Sequence, residues 1–486
     1  MSSVRQQDRL PQDRQAAHAE QEMKGKEAPP NIVVILSDDQ GAWAMGCAGN
    51  DEIITPNLDH LAETGVRFEN FFCTSPVCSP ARASLLTGKI PSQHGVHDWI
   101  KAGNVGKDAL EYLAGQTAYT EILAQHGYVC GLSGKWHLGD SIRPQKGFTH
   151  WYVHQTGGGP YYDAPMIRDG KCYREPGYIT EKITDDALNF IDQQAGSGRP
   201  FYLSVHYTAP HSPWINQHPE KYVQMYEDCP LESVPVDPKH PWLIPNAPGA
   251  NNHRESLKGY YASITAMDDQ IGRIIRKLEQ LNFRENTLIV FLSDNGFNFG
   301  HHGIWGKGNG TFPQNMYDTS VKVPAIFSHP GKIPAARVSE ALVSGYDFFP
   351  TILQYAGLGG HADDDLPGRS FYDELVGKPF QQEKDPIVVF DEYGPVRMIR
   401  TKEWKYVHRY PYGPHELYHL AVDPDEKANL IDDPSCADQV KTMRQSLEQW
   451  FVKYADPAVD GVREPVTGNG QIHLAGLKGN GQRAYE

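Results

Sequence analysis

No two cysteines in this 486-residue sequence form a Cys-x-x-Cys pair, and the seven that occur, at positions 47, 73, 78, 130, 172, 229 and 436, are odd in number and widely scattered. Neither a disulfide framework nor a structural zinc site is expected. Long apolar runs are also lacking. Ile32–Leu36 and Leu288–Leu292 are strand-sized, well short of the ~20 residues that span a bilayer, so no transmembrane helix and no membrane partner are expected. Positive charge is scarce: 45 Lys and Arg face 60 Asp and Glu, a net charge of −15, which argues against nucleic acid or an anionic membrane surface as the main partner. Any anionic ligand must instead meet a local cluster of cations. Residues 1–29 are polar and lack the apolar core of about 7–15 residues found in a secretory signal. The expectation for the sequence as given is a cytoplasmic protein, or a periplasmic or secreted one if a leader has been trimmed from its start.

What is present describes a globular chain. Hydrophobic residues make up 39% and charged residues 22%, neither a disordered nor a coiled-coil composition. Asn31–Leu36 is a continuous β-branched run that reads as a strand buried on both faces, ending in Ser37-Asp38-Asp39. Thr55 to Gly65 reads as a helix, with Thr55 as N-cap, Pro56 at the first helical position and Gly65 as the stop. Ile264, Met267, Ile271, Ile274, Ile275, Leu278 and Leu281 mark an amphipathic helix leading into a second buried strand, Thr287–Leu292, which ends in Ser293-Asp294-Asn295-Gly296. Two buried strands that deliver side-chain oxygens at their C-terminal ends fit the rule that open α/β sheets bind ligands there. Asp38, Asp39, Asp294 and Asn295 offer only oxygen donors, which suits a hard cation such as Ca²⁺ or Mg²⁺ and not zinc. Taken singly, each pair could equally cap a turn.

Pro210 to about Asn252 shows no periodicity and reads as a long surface excursion. From about Asp385 short strand-like pieces, Ile387–Phe390, Val396–Ile399 and Trp404–Val407, precede a helix through Val440 to Trp450. The expected organisation is a polar tail (1–29), a catalytic α/β domain (30–384), a small α+β subdomain (385–456) and a Gly-rich tail (457–486).

Pro76-Val-Cys78-Ser-Pro-Ala-Arg82-Ala-Ser-Leu-Leu-Thr87-Gly88 resembles the signature of the formylglycine-dependent (type I) sulfatases, members of the alkaline phosphatase superfamily. Gly127-Tyr128 with Gly134-Lys135-Trp136-His137-Leu-Gly139 resembles a second element of that family, with Cys130 where Thr or Ser is common. Ala209-Pro-His211-Ser-Pro213, Trp305-Gly-Lys307-Gly, Asp347 to Thr351 and Glu416 to Leu430 extend the likeness over all but about thirty residues at each end, with His419 in place of a usual Asp. The resemblance implies an alkaline-phosphatase-like large mixed sheet sandwiched by helices. It also implies that Cys78 is converted to formylglycine (3-oxoalanine) by a formylglycine-generating enzyme, a maturation partner. One hydroxyl of the hydrated aldehyde would attack sulfur, and the other would allow sulfate to be eliminated. Calcium is the implied ion, held by Asp38, Asp39, Asp294 and Asn295 next to residue 78. By resemblance Arg82 stabilises the hydrate with Lys135 nearby, His137 takes a proton during elimination, and His211 or Lys307 protonates the departing oxygen.

The expected activity is that of a sulfuric ester hydrolase on a sulfated saccharide, with aryl sulfates as surrogates. A phosphonate monoester hydrolase or phosphodiesterase using the same nucleophile, and an unmodified binding protein, remain alternatives. A two-zinc phosphatase fits less well, because Asn295 is a poor zinc ligand. His97, Asp98, Trp99, His154, Tyr161, Tyr162, His302 and the Glu392-Tyr393 loop are candidates for the substrate lining, their aromatic and polar mixture suiting a sugar ring. The sequon Asn309-Gly-Thr311 lies two residues from Lys307 and reads as unused. The oligomeric state is open, a homo-oligomer included.

Overall fold

The computed structural model describes residues 28–361, 365–379 and 389–486; most of the expected N-terminal tail and the expected boundary at 384/385 lie outside them. The chain folds as an α/β protein around a ten-stranded mixed sheet. Its strands are β1 (Asn31–Ser37), β2 (Val66–Phe72), β3 (Val129–Gly134), β4 (His150–His154), β5 (Ala164–Arg168), β6 (Lys171–Glu175), β7 (Phe201–His206) and β8 (Thr287–Ser293), joined after the two-residue hairpin β9 (Asn298–Phe299) and β10 (Trp305–Gly306) by β11 (Ala325–Ser328) and β12 (Arg337–Ser344). The spatial order is β12-β2-β11-β8-β1-β7-β3-β4-β5-β6.

The β-branched runs explain the centre of this sheet. In β1, Ile32, Val34 and Leu36 enter one hydrophobic core while Val33 and Ile35 enter the other. In β8, Leu288, Val290 and Leu292 face the first core, and Ile289 and Phe291 the second. A strand covered on both faces needs this near-continuous apolar sequence. β1 pairs in parallel with β8, and Ser37 sits opposite Ser293, so the two carboxylate-bearing strand ends emerge side by side.

The amphipathic stretch forms a helix over His253–Gln280. The expected helix at 55–65 spans Pro56–Glu63, but Thr55 makes no side-chain capping bond. Its hydroxyl accepts from Gly46 N instead, and the helix start is capped from a distance: Asp268 accepts from Asn57 N at 3.0 Å and Leu58 N at 2.8 Å. The stretch 210–252 is largely irregular, with a short helix at Glu220–Gln224. Among the described residues, no helix is long and apolar enough to cross a membrane.

A second, antiparallel sheet contains β13 (Val389–Tyr393), β14 (Val396–Arg400), β15 (Trp404–Arg409) and β16 (Glu416–His419), and the helix Ala437–Tyr454 packs on it. Phe390, Ile399, Tyr406 and Leu417 meet Met443, Leu447 and Phe451 in a separate small core. The expected strand at 387–390 falls partly outside the described residues. The last thirty residues hold no long element, yet Val466, Ala475 and Tyr485 join the first core of the main sheet.

Burial raises the Asp268 carboxyl to about 6 despite its three hydrogen-bond donors. An unfolded aspartate titrates near ~3.9, so between about pH 4 and 6 the folded chain keeps a proton that the unfolded chain has released, and stability from this group falls as pH rises through that window. In denaturant melts, the stability advantage of the wild-type chain over Asp268→Asn should shrink by about 2–3 kcal/mol from pH 4 to 7. An advantage that widens over the same range contradicts this account.

Candidate active site

Asp38 and Asp39 follow β1, and Asp294 and Asn295 follow β8. The register that places Ser37 beside Ser293 brings them together: Asp39 N and Asn295 N both donate to Asp294 Oδ1, at 3.2 and 2.9 Å, and Asn295 Nδ2 donates to Asp39 Oδ1 at 2.9 Å. Asp39 holds a left-handed backbone at φ 64°, a conformation that Asp tolerates better than most residues and that recurs at functional sites.

The helix Cys78–Thr87 begins at the cysteine and is buried at all ten positions. Its four-residue spacing puts Arg82 one turn behind Cys78 on the same face, and Arg82 clasps Asp294 Oδ2 through Nε at 2.9 Å and Nη2 at 2.8 Å. Lys135, just past β3, reaches Asp38 Oδ2 at 2.6 Å. Lys307, just past β10, donates to Asp39 Oδ1 at 2.5 Å and to Cys78 Sγ at 2.7 Å. Cys78 Sγ in turn lies 3.6 Å from Asp38 Oδ1. Three buried carboxylates therefore meet three buried cations, which is how a protein tolerates so many charges out of water.

The titration directions follow from this packing. Burial raises Asp38 despite the neighbouring Lys135. For Asp39 burial also works upward, but Lys307 and His211 outweigh it and hold the carboxyl below its usual value. Burial opposes the charge on Lys307, yet Asp39 and its neighbours keep it well above the ordinary lysine range. Burial pushes the Cys78 thiol up to about 12 even with Lys135 and Lys307 beside it. As a plain thiol, this group is therefore protonated at neutral pH and a weak nucleophile.

The ligand oxygens of Asp38, Asp39 and Asp294 all lie within 4.8 Å of one another, and Asn295 Oδ1 is buried without a hydrogen-bond partner. Three converging carboxylate oxygens with an unsatisfied amide oxygen on the neighbouring residue fit a hard divalent cation. The three lysine and arginine side chains already balance the carboxylates, so such an ion would leave a net positive site for an anion.

Two histidines flank the cluster. His211 is half-buried, with Nε2 3.7 Å from Asp39 Oδ2 and Nδ1 2.7 Å from Ser212 O. His137, at φ 56°, places Nε2 2.9 Å from Ile100 O, while Nδ1 is buried without a partner. Burial and then Lys135 hold His137 well below the usual histidine range. The ring is thus neutral, with its proton on Nε2 facing a carbonyl and its lone pair on Nδ1.

Cys78, His137, His211 and Lys307 open onto a pocket of ≈ 460 Å³ whose walls include Trp99, Lys101, Asn309 and the segment Thr156–Gly158. The sequence-based choice of Trp99 lies on this wall, whereas its companions do not. His97 and Asp98 are fully buried behind it, His97 Nε2 bonded to Val459 O and Asp98 Oδ1 accepting from Tyr393 Oη. His154 is buried, with Nδ1 against Thr156 O. His302 stacks on Tyr317 with ring centroids 3.8 Å apart. Tyr161 donates to the backbone oxygen of His211 at 2.8 Å, Tyr162 leans on Tyr178, and Glu392 is engaged by Ser92 and Arg397. None of His97, Asp98, His154 and His302 is among the residues that line the pocket: the first two are bonded behind Trp99, His154 is buried with Nδ1 on Thr156 O, and the partly buried His302 is stacked on Tyr317.

The triple glycine Gly157-Gly158-Gly159 was missed in the sequence reading. A Cβ on Gly157 would stand 2.1 Å from His137 Cε1, one on Gly158 3.3 Å from His211, and one on Gly159 3.2 Å from His154 Nε2. The loop lays one glycine against each imidazole: a side chain at 157 would displace the His137 ring, and one at 158 or 159 would press on the ring beside it. The run of three glycines was the available signal.

A family model for sulfatases matches residues 30–358. The chain belongs to the sulfatase family. A second model, described as N-sulphoglucosamine sulphohydrolase, C-terminal, matches residues 300–453. The chain is 29% identical to an N-acetylglucosamine-6-O-sulfatase of Bacteroides thetaiotaomicron, over 88% of this chain and 87% of that one. It is also 29% identical to a choline-sulfatase of Rhizobium meliloti, over 83% of each. A solved structure in complex with its substrate D-glucosamine-2-N,6-O-disulfate superposes with a TM-score of 0.75 at 26% identity, covering 90% of this chain and 100% of that one. The protein is accordingly a sulfatase with the α/β fold expected of that family.

Gly157→Ala should leave the protein folded while lowering 4-nitrophenyl sulfate turnover by about 10–100-fold, the cost expected when a side chain lining the pocket is displaced by an ångström. Unchanged kcat in a folded variant would show that the close fit of this loop on His137 has no role in turnover.

Proposed function

We propose that this sulfatase hydrolyses the sulfate ester of a saccharide, with residue 78 as the nucleophile after oxidation to formylglycine and with Asp38, Asp39, Asp294 and Asn295 holding a divalent cation, calcium or magnesium. The observation that carries the reading is the position of Cys78: it starts a buried helix at the floor of an open pocket, 2.7 Å from Lys307 and 3.6 Å from Asp38. As formylglycine, that residue would supply a hydrated aldehyde, a far better oxygen nucleophile than a protonated thiol. The cation would supply a Lewis acid that draws charge from the sulfate oxygens.

The chain's own residues supply the rest. Lys307 and Lys135 place positive charge at the floor, and the N-terminal end of the Cys78–Thr87 helix adds its unpaired N–H groups for an anion. Arg82 is paired with Asp294 at 2.8 Å and lies 3.9 Å from Asp38, and its Nη1 donates to Lys135 O at 3.3 Å; its task is to hold those carboxylates in place beside residue 78. His137 carries its lone pair on a buried, unpartnered Nδ1 and is the group that accepts a proton. His211, half exposed beside Asp39, presents Nε2 toward the pocket and gives a proton to the departing alcohol when it is an imidazolium.

A saccharide suits the wall, where Trp99 lies beside Lys101, Asn309 and Thr156, an aromatic and polar mixture of the kind that stacks on a sugar ring and bonds its hydroxyls. The sugar-6-sulfatase relative and the solved complex with a disulfated glucosamine point the same way.

The test compares 4-nitrophenyl sulfate, a 4-nitrophenyl phosphonate and a panel of sulfated sugars with choline sulfate included, using protein coexpressed with a formylglycine-generating enzyme. Sulfate turnover should dominate, at least one sulfated sugar should be hydrolysed, and Cys78→Ala should reduce the rate roughly a thousandfold or more, as loss of a nucleophile does. Preferential phosphonate cleavage, or a choline ester as the only good substrate, would overturn the substrate class.

A further inference from the structure

The last thirty residues lie beyond both matched family models, which end at 358 and 453, yet they return to the active-site pocket. Gln471 sits between two residues of the pocket wall: its N–H donates to Trp99 O at 2.7 Å, and its carbonyl accepts from Lys101 N at 2.8 Å. Its side chain is fully buried, accepting from His97 N and donating to Gly95 O and His473 O, each at 3.0 Å. One residue earlier, Gly470 N donates to Asp98 Oδ2 at 2.9 Å. The Gly468 carbonyl then takes bonds from both pocket-wall side chains, Trp99 Nε1 at 3.0 Å and Asn309 Nδ2 at 3.4 Å. At the start of the segment, Val466 O accepts from Gln314 at 3.0 Å.

We propose that residues 466–471 form a strap that fixes Trp99 and Asn309 as the wall receiving the alcohol portion of the sulfate ester, so that this segment sets which ester the pocket accepts. The inference rests on the proposed hydrolytic reading only for the word ester; the strap and wall geometry stand without it. The division of labour is spatial. The groups that meet the sulfate, Cys78, Lys307, Lys135 and the carboxylates, are tied to one another at the strand ends, and the strap makes no hydrogen bond to any of them. Trp99 and Asn309 are instead bonded through their polar ends to one strap carbonyl, and an indole whose N–H is anchored keeps one ring orientation. The strap residues do not line the pocket themselves and act as positioning residues. Asp98, behind the wall, ties the strap to the second sheet, since it also accepts from Tyr393 Oη at 2.6 Å.

Gly470→Val is the sharpest perturbation. Gly470 has φ 117°, and a Cβ there would lie 2.8 Å from Lys101 Cβ and 3.1 Å from the Trp99 indole, so valine must lift the segment. Gln471→Ala loosens it more gently and serves if the first variant melts early. Both are made in full-length Cys78→Ala protein, and calorimetry measures binding of inorganic sulfate and of a panel headed by N-acetylglucosamine 6-sulfate; hydrolysis of 4-nitrophenyl sulfate and of the same sulfated sugar is measured separately with Cys78 intact.

The expected result is sulfated-sugar affinity weakened about tenfold with inorganic sulfate affinity within about twofold. In the catalytic assay the loss should appear in KM for the sugar and not in kcat for the aryl sulfate. Equal weakening of both ligands, no change in either, or a parent protein that binds no sugar more tightly than inorganic sulfate would each overturn the strap. Selective loss of sugar binding without any sulfate-ester hydrolysis would leave the strap standing and overturn the proposed function; hydrolysis of the sulfated sugar with a KM that ignores both variants does the reverse.

Discussion

Everything in this protein is arranged around one electrostatic constraint: three carboxylates and three cations are held out of water where β1 and β8 end. Burying one unpaired charge is expensive, and removing a single partner from such a group typically costs about 3–5 kcal/mol. The two parallel strands must therefore stay in the register that sets Ser37 opposite Ser293, and the helix from Cys78 must keep Arg82 pointing at Asp294. Lys135 and Lys307 are delivered by two other strand ends, β3 and β10. The sheet is in this sense the device that makes the charge cluster affordable, and the cluster is what turns a buried cysteine into the floor of an anion site.

The second sheet does more than complete the chain. Tyr393, at the end of β13, bonds Asp98, and Glu392 accepts from Ser92 while pairing with Arg397, which also reaches Asp460. A chain of buried polar contacts thus runs from the small subdomain through the segment 92–98 to the pocket wall. Buried networks of this kind are rigid when fully satisfied. The pocket combines a floor fixed by ion pairs with walls fixed by hydrogen bonds from segments distant in sequence, and these can change independently.

What could be read from the sequence was local. The apolar runs of β1 and β8 with carboxylates at their ends, the Cys78–Gly88 signature, and Lys135, His137, His211 and Lys307 each carry their message within a dozen residues; Cys78, His137, His211 and Lys307 line one pocket, and the carboxylates with Lys135 are clustered against them. What escaped depends on partners far along the chain. Thr55 looks like an N-cap, but Asp268 takes that role across 210 residues. His97 and Asp98 look like exposed polar groups beside Trp99, but Val459, Gly470 and Tyr393 claim them. The Gly-rich tail carries no periodicity, because it is held by backbone pairing to 99–101 and needs no amphipathic face. The triple glycine at 157–159 matters only for the three rings that the fold sets against it.

The most direct test of the account is the divalent-cation content of the folded protein, measured by elemental analysis after dialysis against buffer containing calcium and magnesium, for the wild-type chain and for Asp39→Ala. The charge cluster as described, with its converging carboxylates and the unpartnered Asn295 oxygen, predicts one calcium or magnesium ion per wild-type chain and none in a folded Asp39→Ala. A folded wild-type chain that retains no cation, or a variant that retains the wild-type amount, would contradict the claim that these strand ends form a metal-assisted anion site.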